Sequence, residues 1–157
     1  MLITTHTIVG FAVGHFSKNA YVAVPLAFGS HYLLDGIPHF EVSSFRRPGE
    51  RSLKPKNKFE LFFVLTDILV ALVFLGVMRN FWSLPALLGV VFGVLPDVLD
   101  NVFLWSDFLH RLPVFKQLYL FHKTFHWTAR GKMIFWGVVS QLITVGVCLF
   151  LLLGFRG

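Results

Sequence analysis

The stretch MIFWGVVSQLITVGVCLFLLLG, Met133 to Gly154, runs for 22 residues without a charged side chain. A hydrocarbon core about 30 Å thick is crossed by about 20 apolar helical residues, so this stretch reads as a membrane span. Working outward from it, Phe59 to Met78 is similar, broken only by Glu60 at its start and Asp67 inside. Phe81 to Trp105 is a third such run, apolar until Asp97 and Asp100. The N-terminal region reads as a shorter pair, Leu2 to Phe16 and Ala20 to Ile37, around the turn Ser17-Lys18-Asn19. The expectation is an all-α polytopic membrane helix bundle of about five spans, forming one domain over residues 1–157.

Composition points the same way. Hydrophobic residues make up 55% of the chain and charged residues only 14%, against roughly a quarter in a soluble domain. Mean hydropathy is +0.70. Aromatic residues reach 17%, which lipid-facing surfaces and interfacial belts account for. Thr4, Thr5 and His6 stand where the leader of a cleavable signal peptide would be basic, so none is expected. Cys148, the single cysteine, lies inside the last apolar run and reads as a packed thiol. Phe28 to Phe40 and Val91 to Val102 both run from small apolar residues into an aspartate-bearing helix end. That parallel hints at a duplication of about 1–78 and 81–154.

The charge is +6 overall, and its placement carries more information than its size. Arg46, Arg47, Arg51, Lys54, Lys56 and Lys58 fall in one loop, and Arg111, Lys116, Lys123, Arg130 and Lys132 in another. With five spans these two basic loops share a side, and eleven of the fourteen basic residues lie there. The positive-inside rule makes that side cytoplasmic, with the N-terminus inside, in the inner membrane of the cell. Nucleic acid is not an expected partner, because the loops lack aromatic stacking platforms among base-reading groups. Anionic lipid headgroups suit them better.

Six of the seven histidines fall on the same side. His6 opens the first span; His31, Asp35 and His39 close the second; Asp97 and Asp100 close the fourth; His110, His122 and His126 follow it. Only His15, near Lys18, falls at the opposite end. In His31-Tyr32-Leu33-Leu34-Asp35 the imidazole and carboxylate are four residues apart, on one helix face. Asp97 with Asp100, three apart, and His122 with His126, four apart, likewise share a helix face. Ionisable groups beside apolar spans are costly and mark sites, and imidazole with carboxylate is the ligand mix of zinc, iron or manganese. The expected metal ligands are His6, His31, Asp35, His39, Asp97, His122 and His126, enough for one ion or two. Zinc is the first choice of metal. Asp100, a carboxylate to spare, is the candidate general base, and Arg46, Arg47 and Lys123 are candidates to hold a phosphate. Asp67 calls for an internal partner, and Glu60 belongs either with it in a polar cavity or with the basic loop. Gly10 and Gly14, and Gly89 and Gly93, have the small-xxx-small spacing that lets helices approach closely. Their contact would bring His6 towards Asp97.

These residues carry a family resemblance. His6, Gly29-Ser30-His31, Leu34-Asp35, Pro38-His39 and Leu95-Pro96-Asp97 together resemble the membrane-bound metal-dependent hydrolases of bacterial inner membranes, themselves distantly similar to zinc-dependent phospholipase C. The family's Leu-Pro-Asp is commonly followed by Asp-His; here Asp100 precedes Asn101, and the two-histidine element reads His122-Lys123-Thr124-Phe125-His126. The resemblance implies metal-dependent hydrolysis at the cytoplasmic face, on a phosphoester of a lipid or membrane-associated molecule. The contrasting class is a non-catalytic scaffold or metal-binding protein of the membrane.

Overall fold

The computed structural model describes residues 1–46, 55–102 and 104–154. Arg47, Arg51 and Lys54 of the first basic loop lie outside them. Among these residues seven α-helices follow one another: α1 (Ile3–Ser17), α2 (Ala20–Asp35), α3 (Lys58–Val77), α4 (Leu84–Asn101), α5 (Ser106–Leu109), α6 (Pro113–Phe125) and α7 (Met133–Gly154). Short 3-10 turns cover Val42–Phe45 and Met78–Phe81. The described residues contain no strand, only an isolated bridge between His39 and Thr128.

Among the described residues, three helical stretches are long and apolar enough to cross a membrane: Lys58–Phe81, Leu84–Asn101 and Met133–Gly154. α1 and α2, at 15 and 16 residues, are shorter. The second basic stretch, Ser106 to Lys132, contains the amphipathic helix α6, which turns His122 inward and leaves Val114, Phe121 and Phe125 exposed.

Helix ends follow local sequence. Asn19 accepts the Tyr21 N–H at 2.9 Å to start α2, Asn57 accepts the Glu60 N–H at 2.8 Å to start α3, and Ser83 caps α4. Such side-chain acceptors satisfy N–H groups that a helix start leaves unpaired. Lys18 ends α1 in the left-handed region, at φ 53°, so the chain can reverse directly into α2. α1 has no side-chain cap of its own.

α1 lies at the centre, packed against α4, α2, α3 and α7. The glycine faces make its contact with α4 possible. A Cβ on Gly10 would run into the Gly89 carbonyl, and one on Gly14 into the Pro85 carbonyl. The core of this contact is Phe11, Ala12, Ala86, Met78 and Leu152. Cys148 packs against a second cluster of Met1, Val9 and Leu34. Glu60 belongs with the basic loop: its carboxylate takes the Arg46 guanidinium at 2.6 and 3.1 Å and the Lys56 N–H at 2.8 Å. This pair ties Arg46 to α3. His15 sits at the far end of α1 among Phe11, Phe16 and Phe81.

Candidate metal centre

The ends of α2 and α4, the start of α1 and the inner face of α6 meet at one place. His6, His31, Asp35, His39, Asp97, Asp100 and His122 are all buried there, and His31, Asp35 and His39 are completely so. One ligand atom each from His31, Asp35, Asp97 and His122 lies within 4.8 Å of the others, and Asp35, His39 and His126 form a second such group. Asp35 belongs to both. A metal ion needs three or four such atoms at one point, so each group can hold a cation.

Hydrogen bonding sets the direction of each ring. His31 Nδ1 is 2.8 Å from the Gly93 carbonyl, and His39 Nδ1 is 2.9 Å from that of Ile37. A carbonyl can only accept, so both rings carry their proton on Nδ1 and present a bare Nε2 inward. His122 Nδ1 donates to Asp100 Oδ2 at 2.7 Å. The Thr128 hydroxyl gives its proton to Glu41 Oε1 at 2.6 Å, leaving its oxygen to accept from His126 Nδ1 at 3.3 Å. All four rings thus have an outer acceptor on Nδ1, as metal-ligating histidines almost always do.

The inward nitrogens crowd the carboxylates and each other. His122 Nε2 is 2.8 Å from Asp35 Oδ2 and 3.3 Å from His31 Nε2. With Nδ1 protonated on both rings, nothing attractive joins these atoms unless a proton or a cation lies between them. In the metal-free protein the proton supplies it. Burial opposes charge on His122, but the bonds to Asp100 and Asp35 outweigh it and hold its pKa up to about 9. His39 is the reverse case: burial, reinforced by the Met1 ammonium, pushes its pKa down to about 3. Burial likewise lowers that of His126.

Two buried histidines have ring nitrogens with no hydrogen-bond partner: both nitrogens of His6 and Nε2 of His39. An unpaired buried polar atom costs about 1–3 kcal/mol, and a cation in the second group would satisfy Nε2 of His39. His6 stacks on His31 at 4.0 Å between ring centres, with Nε2 3.2 Å from Asp35 Oδ1 and 3.8 Å from Asp97 Oδ2. It stands beside the two ligand groups and borders the carboxylates of the first. The Met1 amine also reaches Asp35 Oδ1, at 2.8 Å.

Local folding explains the assembly. Pro96 leaves the Phe92 carbonyl in α4 without its helical donor, and the next carbonyl, that of Gly93, takes the His31 ring. The bridge between His39 and Thr128 joins the segment after α2 to the segment after α6: Ala129 N–H donates to the His39 carbonyl at 2.8 Å, and Trp127 N–H to the Asp35 carbonyl at 2.8 Å. From α7, Ser140 and Gln141 hold the carbonyls of Pro38 and Phe40.

The structure therefore brings together His6, His31, Asp35, His39, Asp97, Asp100, His122 and His126. Asp100 is engaged on both sides, by His122 and by His110 at 3.3 Å. The Lys123 ammonium stands 5.9 Å from the centre of the Tyr119 ring. Arg47 lies outside the described residues. Sequence reasoning missed Glu41, whose Oε2 is 3.6 Å from His126 Nε2. Burial would raise the Glu41 pKa, but the Met1 ammonium and the neighbouring histidines bring it down to about 2. Its one signal was its place two residues after His39. No family model, characterised protein or solved structure matches the chain.

Proposed function

We propose that the protein is a membrane-embedded, metal-dependent hydrolase acting on a phosphoester of a lipid or another membrane-associated molecule. The observation that carries this reading is the set of four histidines, each with Nδ1 committed to an outer acceptor and Nε2 turned toward carboxylates of the cluster. A buried arrangement of that kind is costly for a scaffold to maintain with nothing bound. Zinc suits the imidazole and carboxylate donors best, with manganese or iron as substitutes. With Asp35 common to both groups, the set suits two ions that share its carboxylate. A divalent ion there supplies Lewis acidity toward a phosphoryl oxygen and lowers the pKa of water towards neutrality.

The chain's own residues do the rest. Asp35 and Asp97 neutralise the cation charge. Asp100 fixes the ring of His122, and its contact with partly exposed His110 gives a proton a route outward, the role we assign to it as base. Glu41 and Thr128 hold His126 in its tautomer. In this reading α1 and α2 complete a five-segment bundle, and the basic residues of both loops place the cluster toward the cytoplasmic side of the inner membrane.

Two measurements test the proposal. Metal analysis of detergent-purified protein is expected to find stoichiometric zinc or manganese, and hydrolysis of a generic phosphodiester is expected to disappear in Asp35→Asn, which removes the carboxylate common to both groups. A folded protein free of metal would favour a scaffold; one that holds metal without hydrolysis would be a binder. Proton linkage gives a further prediction. His122 is protonated at pH 7 and must lose that proton to ligate, whereas His39 and His126 are already neutral. Zinc uptake at pH 7 should release about one proton through His122, and affinity should climb about tenfold per pH unit until near pH 9. Calorimetry in buffers of different ionisation heat reads this directly; uptake without proton release would contradict it.

A further inference from the structure

Asp67 lies tenth of the twenty residues of α3, among Ile68, Leu69, Val70 and Leu72, all exposed on an apolar helix. A carboxylate in such surroundings needs donors, and it finds them on another helix. Its Oδ2 accepts the Ile3 N–H at 2.7 Å and its Oδ1 the Thr4 N–H at 3.1 Å. The Thr4 hydroxyl donates in turn to the Asp67 main-chain carbonyl at 2.8 Å. These are first-turn groups of α1, the helix without a side-chain cap of its own. Asp67 therefore caps α1 from outside, where the helix dipole favours negative charge, and three bonds fix the axial register of α1 against α3.

His6 follows one turn later, within about 5 Å along the axis. Its ring has no hydrogen-bond partner at either nitrogen. Apart from stacking on His31, its position depends on where α1 is held. The glycine contact with α4 sets the distance between those two helices; the Asp67 bonds set how far along α3 the helix begins. We propose that Asp67 is a positioning residue of the metal centre: it clamps the first turn of α1 and thereby sets His6 against Asp35 and Asp97. The clamp stands on its own contacts, while its effect on metal rests on the function proposed above.

The test uses the full-length protein in detergent, with Co2+ as the probe. In Asp67→Asn, hydrogen exchange at the Ile3 and Thr4 amides of the metal-free protein should quicken at least about tenfold. Co2+ affinity should fall about tenfold, the lower end of the loss seen when a partner bonded directly to a ligand is removed, because Asp67 acts through α1, with a changed visible absorption spectrum. The decisive measurement is the cycle with His6→Ala: in that background Asp67→Asn should weaken Co2+ binding no further. An equal loss with and without His6 would overturn the positioning role and leave a purely structural cap. Should Asp67→Asn fail to fold, Thr4→Val removes one of the three bonds and is expected to give the same pattern at smaller size. If the wild-type protein binds no Co2+, the metal reading and the positioning role fall together, whereas unchanged amide exchange in Asp67→Asn would overturn the clamp itself.

Discussion

Asp35→Asn is expected to strip the protein of metal altogether, whereas His31→Ala and His126→Ala should each remove only part of it. Asp35 is the residue common to both ligand groups, and it is fully buried. Asparagine keeps the shape but removes the charge that neutralises a cation in either position. The loss of affinity should exceed about two orders of magnitude, since outer partners of metal ligands alone reach that range. His31 belongs to one group and His126 to the other, so each single variant should leave the second group able to bind. Metal content by mass spectrometry, read beside zinc titration, distinguishes these outcomes. Equal, complete loss in all three variants would argue for a single site rather than two that share a carboxylate. The substitution should also destabilise the metal-free protein, because His122 at 2.8 Å and the Met1 amine at 2.8 Å lose their counter-charge. Leaving a buried charge unpaired costs about 3–5 kcal/mol.

Gly89→Val should be the most damaging change remote from the cluster. A Cβ at Gly89 would collide with the Gly10 carbonyl and press on the Gly14 amide. These are backbone atoms inside a helix and cannot rotate aside as a side chain could. Overpacking costs about 1–3 kcal/mol where neighbours can give, and here the expected loss lies at or above the top of that range. If the bundle survives, α1 must move off α4 and take His6 with it. The expected result is a lower thermal midpoint together with weakened metal binding, although no ligand has been touched. Gly76→Ala is the control: a Cβ there meets nothing within 4 Å, so both readouts should stay near wild type. A Gly89→Val protein with the wild-type midpoint would refute the close contact.

What the sequence made legible was the part written in side-chain periodicity. The charge-free run to Gly154, the i,i+4 pair His31 and Asp35, and the glycine spacings at 10, 14, 89 and 93 all translate directly into helices, a shared face and a close crossing. What stayed hidden was written in the main chain. The acceptors that orient His31 and His39 are the carbonyls of Gly93 and Ile37, and no residue type announces them. Asp67 called for a partner, but that partner is a pair of backbone N–H groups on α1, equally silent in sequence. Glu41 is silent in sequence for the same reason: only the fold places its carboxylate beside His126. The segment Ser106 to Lys132 read as a basic loop, yet most of its order comes from α6, whose inward face is set by tertiary contact.

The junction between Ile3 and Asp67 has one more consequence, a matter of level. Nine residues of α3 precede Asp67, so the helix reaches about 13 Å beyond that point, and Phe59, Leu61, Phe62 and Leu65 on this overhang are exposed. Apolar surface of this kind is stable in oil rather than in water. A bilayer that takes in the whole of α3 takes in His6 as well, one turn past the Asp67 contact, and sets it beneath the headgroup plane. Under the function proposed above, an ester carrying acyl chains would arrive with its tails already in their own solvent.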